Sequence, residues 1–353
     1  MNKKHPSAWD PAIMLLNILV SVIGSIIGLE LIARLGISTN TSIIGALFAI
    51  IIARIPLKIF QKYKDINTQN LVQTAMSGAT FAASNGIFLS IGIPYLLGRH
   101  DLVIPMMVGA SLAVIIDATI LYKVFDTEMF PAKEAWAPGI AAAEAMLAVA
   151  EKGKNSVILM IGMVGGIVGK IFGIPTDILG VGWIGNMWAL GAFGVGLLIS
   201  EYTPKFFNIK LGDYYVPHGV MIGAGFVALI QMILILQKKS KKEKEAAAAE
   251  AATGKVEKKE FTRSLKSMKF SLAEGFGAYI LVSIVMAIMC GFSADMSAGM
   301  FVWWIIFAAL SAIISELIVG ISAMHSGWFP AFATAFIFLI LGMLFGFPPA
   351  QLA

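Results

Sequence analysis

Residues 102–124 read LVIPMMVGASLAVIIDATILYKV, a run of 23 residues whose only charge before Lys123 is the carboxylate of Asp117. A helix of about 20 apolar residues crosses the hydrocarbon of a bilayer, and the run lacks the alternating pattern of a barrel strand. It is therefore read as a transmembrane helix. The same pattern recurs at roughly 12–35, 41–61, 70–98, 155–174, 180–200 and 213–237, and again at 271–292, 299–324 and 328–347. The expected fold is all-α: a polytopic transmembrane helix bundle with about 10 membrane segments, some of them broken or re-entrant.

The composition agrees. Of 353 residues 58% are hydrophobic and 13% charged, with a mean hydropathy of +0.84. Soluble domains run at about 45–50% apolar and about 25% charged, so a soluble enzyme, a disordered chain and a disulfide scaffold are excluded. Cys290 is the single cysteine and cannot form an internal disulfide. The net charge of +5 is local: residues 238–269 hold 11 Lys+Arg and 5 Asp+Glu, which leaves 15 and 16 elsewhere, a net of −1. This Ala/Glu/Lys-rich stretch reads as a basic, low-complexity, cytoplasmic linker with helical tendency. It divides the chain into an N-terminal membrane half, 1–237, the linker, 238–269, and the start of a C-terminal membrane half, 270–353.

Topology exposes a conflict. Lys3 and Lys4 should face the cytoplasm, as should the linker. Seven crossings between them would place them on opposite sides. At least one segment must enter and return, or a further short crossing must exist. The first candidate is 70–98, interrupted by Gly78, Gly86, Gly92 and Pro94; the second is 131–152, too short to span alone. Non-helical backbone at membrane depth survives only where protein or water satisfies it, as around a substrate path.

A charge at the bilayer centre costs roughly 2.5–3.5 kcal/mol on insertion scales, so each one needs a reason. Asp117 and Glu316, the latter within IISELIVG, have no basic residue within a helical turn. Each is a group that can carry a proton inside the membrane; the plainer reading is a carboxyl paired with a distant helix. Asn70, Gln73, Thr74, Ser77, Thr80, Ser84 and Asn85 form the densest uncharged polar set, with Gln73, Ser77, Thr80 and Ser84 on one helical face. Such groups either glue helices together or line a hydrated path. GGIVGKI lacks the spacing and the Ser/Thr of a phosphate loop. No metal motif, hydrolase motif or nucleic-acid surface is present, and no cofactor is expected.

Several segments together resemble the oligopeptide transporter family, which includes the yellow-stripe-like metal-chelate carriers. GLELIARLGISTNTSIIGALFAIII (28–52) is similar to that family's first helical pair. Asn70-LVQTAMSGATFAASNGIFLSIGIPYLLG resembles its Asn-x-x-Gln-Thr segment, and Phe130-Pro131 followed by Ala141-Ala-Ala-Glu144 resembles its Phe-Pro…Ala-x-Ala-Glu motif. GVGWIGNMWALGA and IVGISAMHSGWFPAFATAF are similar to two weaker patterns. The resemblance implies a secondary active transporter, not an enzyme, taking up oligopeptides or peptide-like metal chelates with protons across the inner membrane. It places Gln73, Asn85 and Glu144 near the transport path. Glu144, Asp117 and Glu316 are then the candidates for proton coupling. The expected partners are the substrate, protons and the lipid bilayer, with a homo-oligomer allowed and no nucleic acid. No counterpart of the family's later Asp-Leu-Lys-x-Gly stretch occurs, so the second half is expected to be incomplete. The alternative is a passive channel or a non-transporting membrane subunit.

Overall fold

The computed structural model describes residues 5–35, 42–56, 63–134, 136–150, 154–173, 187–253, 261–326 and 330–347. Among the described residues the regular structure is helical, with no strand. Six helices are long and apolar enough to cross a bilayer: Pro11–Glu30, Ile66–Leu96, His100–Val124, Ile222–Lys241, Leu265–Met289 and Ala298–His325. Their outward faces carry exposed Leu15, Ile18, Val22, Ile26, Ile104 and Ile115. A face of that kind is at equilibrium in lipid and not in water. The chain is a membrane-embedded helical protein.

The count of about 10 segments is corrected to six among the described residues. Three of the expected spans correspond to the shorter apolar helices Ile44–Arg54, Met160–Ile171 and Ala333–Leu344. A fourth, 180–200, begins outside the described residues, which resume with the helix Met187–Phe207. The expected break in 70–98 is also corrected. The helix runs from Ile66 to Leu96 and widens to π geometry over Ala82–Phe88 without interruption. Gly78 and Gly92 stay helical, and Pro94 stands in the last turn. A backbone in hydrocarbon has no water to replace a lost hydrogen bond, which favours a widened turn over a break.

The described chain forms two compact units, 1–90 with 136–211, and 91–135 with 212–353. The first contains α1 (Pro11–Leu35), α2 (Ser42–Arg54), α3 (Ile66–Phe81) with the π stretch, α6 (Ala137–Ala150), α7 (Lys154–Ile171) and α8 (Met187–Phe207). Helix α4 (Leu89–Leu96) carries the chain across the boundary. In the first unit Ser21 and Ser25 of α1 donate to the carbonyls of Ala75 and Ala79 on α3. The equal offsets make these two helices parallel. The returning helix is α2, whose Gly45 rests on Gln73 and Met76. Tyr63 closes the layout by donating to the Ala12 carbonyl (2.8 Å). The start of α3 is set by Asp65, which caps the Thr68 amide.

The second unit contains α5 (Val103–Val124), α9 (Val216–Thr253), α10 (Leu265–Met289), the short α11 (Phe292–Asp295), α12 (Ala298–Ser326) and α13 (Ala331–Leu344). Helix α10, capped by Ser264, packs against both α5 and α12. It runs antiparallel to α5: Thr127 follows α5 and meets Met268, Ile120 faces Gly275, and Gly109 faces Met286. Gly291, in the left-handed region at φ 71°, turns the chain back toward α12. At that end Phe307 stands 5.3–6.2 Å from the rings of Phe338, Phe345 and Phe347. Helix α9 continues from its apolar span into the linker as far as Thr253.

Candidate functional site

The two isolated carboxylates of the sequence meet in the second unit. Asp117 projects from α5, Glu316 from α12, and the hydroxyl of Tyr279 on α10 lies within hydrogen-bonding reach of both, able to donate its one hydrogen to either, with the Glu316 carboxyl at 2.9 Å. Tyr279 is 6% exposed and both acids are half-buried. Tyr279 stands fourteen residues into α10 and ten from its end. No Lys, Arg or His takes part in these hydrogen bonds.

The helices come this close because of one glycine. Gly275 lies one turn before Tyr279, and a Cβ there would collide with the side chain of Ile120 on α5 and touch that of Ile313 on α12. Ile120 follows Asp117 by three residues, and Ile313 precedes Glu316 by three. The glycine layer thus holds both neighbours against α10 at the height where the acids reach the hydroxyl. Side chains on a helix lean toward its N-terminus, so the carboxyl of Glu316 and the hydroxyl of Tyr279 cover ground their Cα positions do not.

Two carboxyl groups and a phenol at bonding distance can hold a proton and pass it between helices without water entering. That is the chemistry the arrangement offers. Among the described residues no group of three or more His, Cys, Asp or Glu side chains could hold a metal.

The remaining expected residues lie in the first unit. Gln73 is 8% exposed; its amide nitrogen donates weakly to the Thr74 hydroxyl (3.4 Å) and its carbonyl oxygen has no partner. Thr80 and Ser84 are buried and donate to the carbonyls of Met76 and Thr80, one turn back. Thr80 also fills the notch made by Gly24 and Gly28 of α1. That part of the polar face is a helix-packing seam. Asn70 and Thr74 are exposed, Ser77 is half-buried, and Asn85 lies half-buried within the π stretch, beside the Ser84 hydroxyl. Glu144 lies on the exposed face of α6, opposite buried Ala142, Ala145 and Met146. The structure therefore brings Asp117 and Glu316 together and leaves Glu144 in the other unit.

Tyr279 escapes a search for charges. Its signal is position: Tyr95 and Tyr122 sit at the ends of apolar helices, where amphipathic rings anchor at the membrane surface, whereas Tyr279 is mid-helix. A phenol so deep needs a partner for its hydroxyl. Compared with protein-family models, with curated proteins and with solved structures, the chain matches none.

Proposed function

We propose that the protein is a proton-coupled secondary transporter of the inner membrane, with the Asp117–Tyr279–Glu316 cluster as its proton-holding site. One observation carries the reading: two acids 199 residues apart in sequence share a hydroxyl inside the membrane-spanning helices of one unit. A purely structural role is served more cheaply by apolar packing, since buried acids cost free energy that Leu or Ile in their place does not. Carriers keep such groups because protonation changes which helix contacts are favourable. The substrate class, oligopeptides or peptide-like metal chelates, rests on the family resemblance, as does a place for Gln73, Asn85 and Glu144 along the path. The unpartnered carbonyl oxygen of Gln73 supports a polar ligand there.

The sidedness follows from charge. In the second unit the loop after α5 and both ends of the linker meet, through Glu134–Lys239 and Asp126–Thr262. With its lysines the linker faces the cytoplasm by the positive-inside rule, and the loop 125–134 faces it too.

The test is uptake by proteoliposomes with an imposed pH gradient. A labelled tripeptide and a peptide-like metal chelate are offered in turn. Uphill accumulation of either, abolished by an uncoupler and by Asp117→Asn or Glu316→Gln, is the expected result. Equilibration without accumulation identifies a passive channel, and no flux of either compound removes the transport reading.

A further inference from the structure

The cytoplasmic end of the second unit carries more positive charge than its own acids can balance. The α9 acids Glu243, Glu245 and Glu250 follow beyond Lys241 and are outnumbered, with the rest, by the basic residues of the region. Three of the four acids on the loop after α5 and on α10 are engaged. Glu274 pairs with Lys123 (2.5 Å), Glu134 with Lys239 (3.1 Å), and Asp126 accepts from Thr262 and from the Ala132 amide. Asp126 is held below the usual carboxylate range, first by the Thr262 hydroxyl and then by the two backbone amides. The fourth acid, Glu128, has Lys133 on its own loop to offset it. Arg263 is spent on Tyr122, donating to its carbonyl with the guanidinium 4.5 Å over its ring. Lys238, Lys241, Lys266 and Lys269 remain exposed, and none has a hydrogen-bond or ion-pair partner among the described residues.

These four lysines are arranged in pairs. Lys238 and Lys241 are three apart on α9 and Lys266 and Lys269 three apart on α10, so each pair shares a helical face. The two helix ends are tied to one loop, α9 through Lys239–Glu134 and α10 through Thr262–Asp126. Each pair stands where a membrane-spanning helix leaves or enters the apolar layer. On α10 it is flanked by exposed Leu265 and Phe270, which favour the acyl boundary over water. On α9 a shallow groove of about 460 Å³ lies beside Lys241 and is lined by Leu236, Gln237 and Ser240. It offers an ammonium, an amide and a hydroxyl beside one apolar side chain. That set suits a phosphate ester bearing hydroxyl groups and attached to acyl chains.

We infer that this end of the second unit binds an anionic phospholipid headgroup of the cytoplasmic leaflet, through Lys238 and Lys241 on α9 and Lys266 and Lys269 on α10. The charge requires a phosphate anion; the exposed apolar flanks select a lipid over a free phosphate. The inference stands apart from transport, since it uses none of the residues assigned to the proton site.

The full chain in detergent is passed through mixed micelles of phosphatidylglycerol and phosphatidylcholine, and retained lipid is counted by native mass spectrometry. Retention of phosphatidylglycerol should exceed that of phosphatidylcholine and fall as salt is raised. A basic residue near an anionic surface contributes roughly five-fold in affinity, so changing all four lysines to Gln should lower retention by at least about ten-fold. Changing all four to Arg should keep it, which separates charge from a folding defect. Inorganic phosphate at millimolar concentration should not displace the lipid. Equal retention of the two lipids, unchanged retention in the four-Gln variant, or displacement by inorganic phosphate would each overturn the inference.

Discussion

A phenol between two acids behaves differently from either acid alone. Tyr279→Phe keeps the ring and its packing but removes the hydroxyl that both carboxyl groups share. A hydrogen bond to an ionisable group contributes about 1.5–3 kcal/mol, so the variant should unfold more easily in detergent by that order. Uphill uptake should fall more steeply than downhill exchange, and a parallel fall in both would mark Tyr279 as merely structural. A second residue predicts a pH effect. Thr262 and Ala132 hold the Asp126 carboxyl below its ordinary range. Its contribution is therefore present above the unfolded value, about 3.9, and lost as pH falls through the lower folded value. Protection of the Thr262 amide, which donates to Asp126, relative to its intrinsic exchange rate, should fall as pH drops below the ordinary carboxylate range, and Asp126→Asn should remove that dependence. Asp117 and Glu316 could be read in the sequence because each interrupts an apolar run. Their partnership could not, because each bond spans 37 or 162 residues and the shared partner is uncharged.

Helix-scale behaviour turns on small residues. Gly24 and Gly28 of α1 are four apart and receive Met76 and Thr80 of α3; a Cβ at Gly28 would lie 2.5 Å from the Thr80 methyl and 3.0 Å from its carbonyl oxygen. Overpacking of such a seam costs about 1–3 kcal/mol. Gly28→Leu should lower the thermal midpoint in detergent, whereas Gly78→Leu, where a Cβ meets nothing within 4 Å, should leave it nearly unchanged. The two glycines look alike in sequence, since composition marks a residue as small but not which neighbour presses on it. The same limit explains the continuous helix Ile66–Leu96. Gly86 and Pro94 are breakers in water, but Ser84 and Ser90 donate to the carbonyls of Thr80 and Gly86, and the hydrocarbon discourages an open turn. The apolar runs themselves were legible because each is a local property of about 20 residues.

For the chain as a whole, the parity conflict becomes local. The loop after α5 and the linker meet at one end of the second unit, so the stretch between them crosses an even number of times. With α9 long and apolar enough to supply one crossing, an odd number is expected from the rest of that stretch. Cysteine labelling in a Cys290→Ser background should reach Glu128→Cys and Ser240→Cys from the same face of the membrane, and Asn208→Cys from the other. Labelling of all three from one face would overturn the assignment. Sequence alone distributes the conflict over every segment. Only contacts between distant residues say which stretch must hold the odd crossing, and hydropathy carries no such information.

The hydroxyl of Tyr279 owns a single hydrogen and faces two helices. Whenever it serves Asp117 it leaves Glu316 to find another donor, and the reverse holds as readily. The interface of α10 with α5 and its interface with α12 therefore compete for one atom. An added proton ends that competition, because a protonated acid supplies its own hydrogen. On the proposed transport reading, three helices wired through one shared hydrogen would form a toggle, set by the acidity of whichever compartment the cluster can reach.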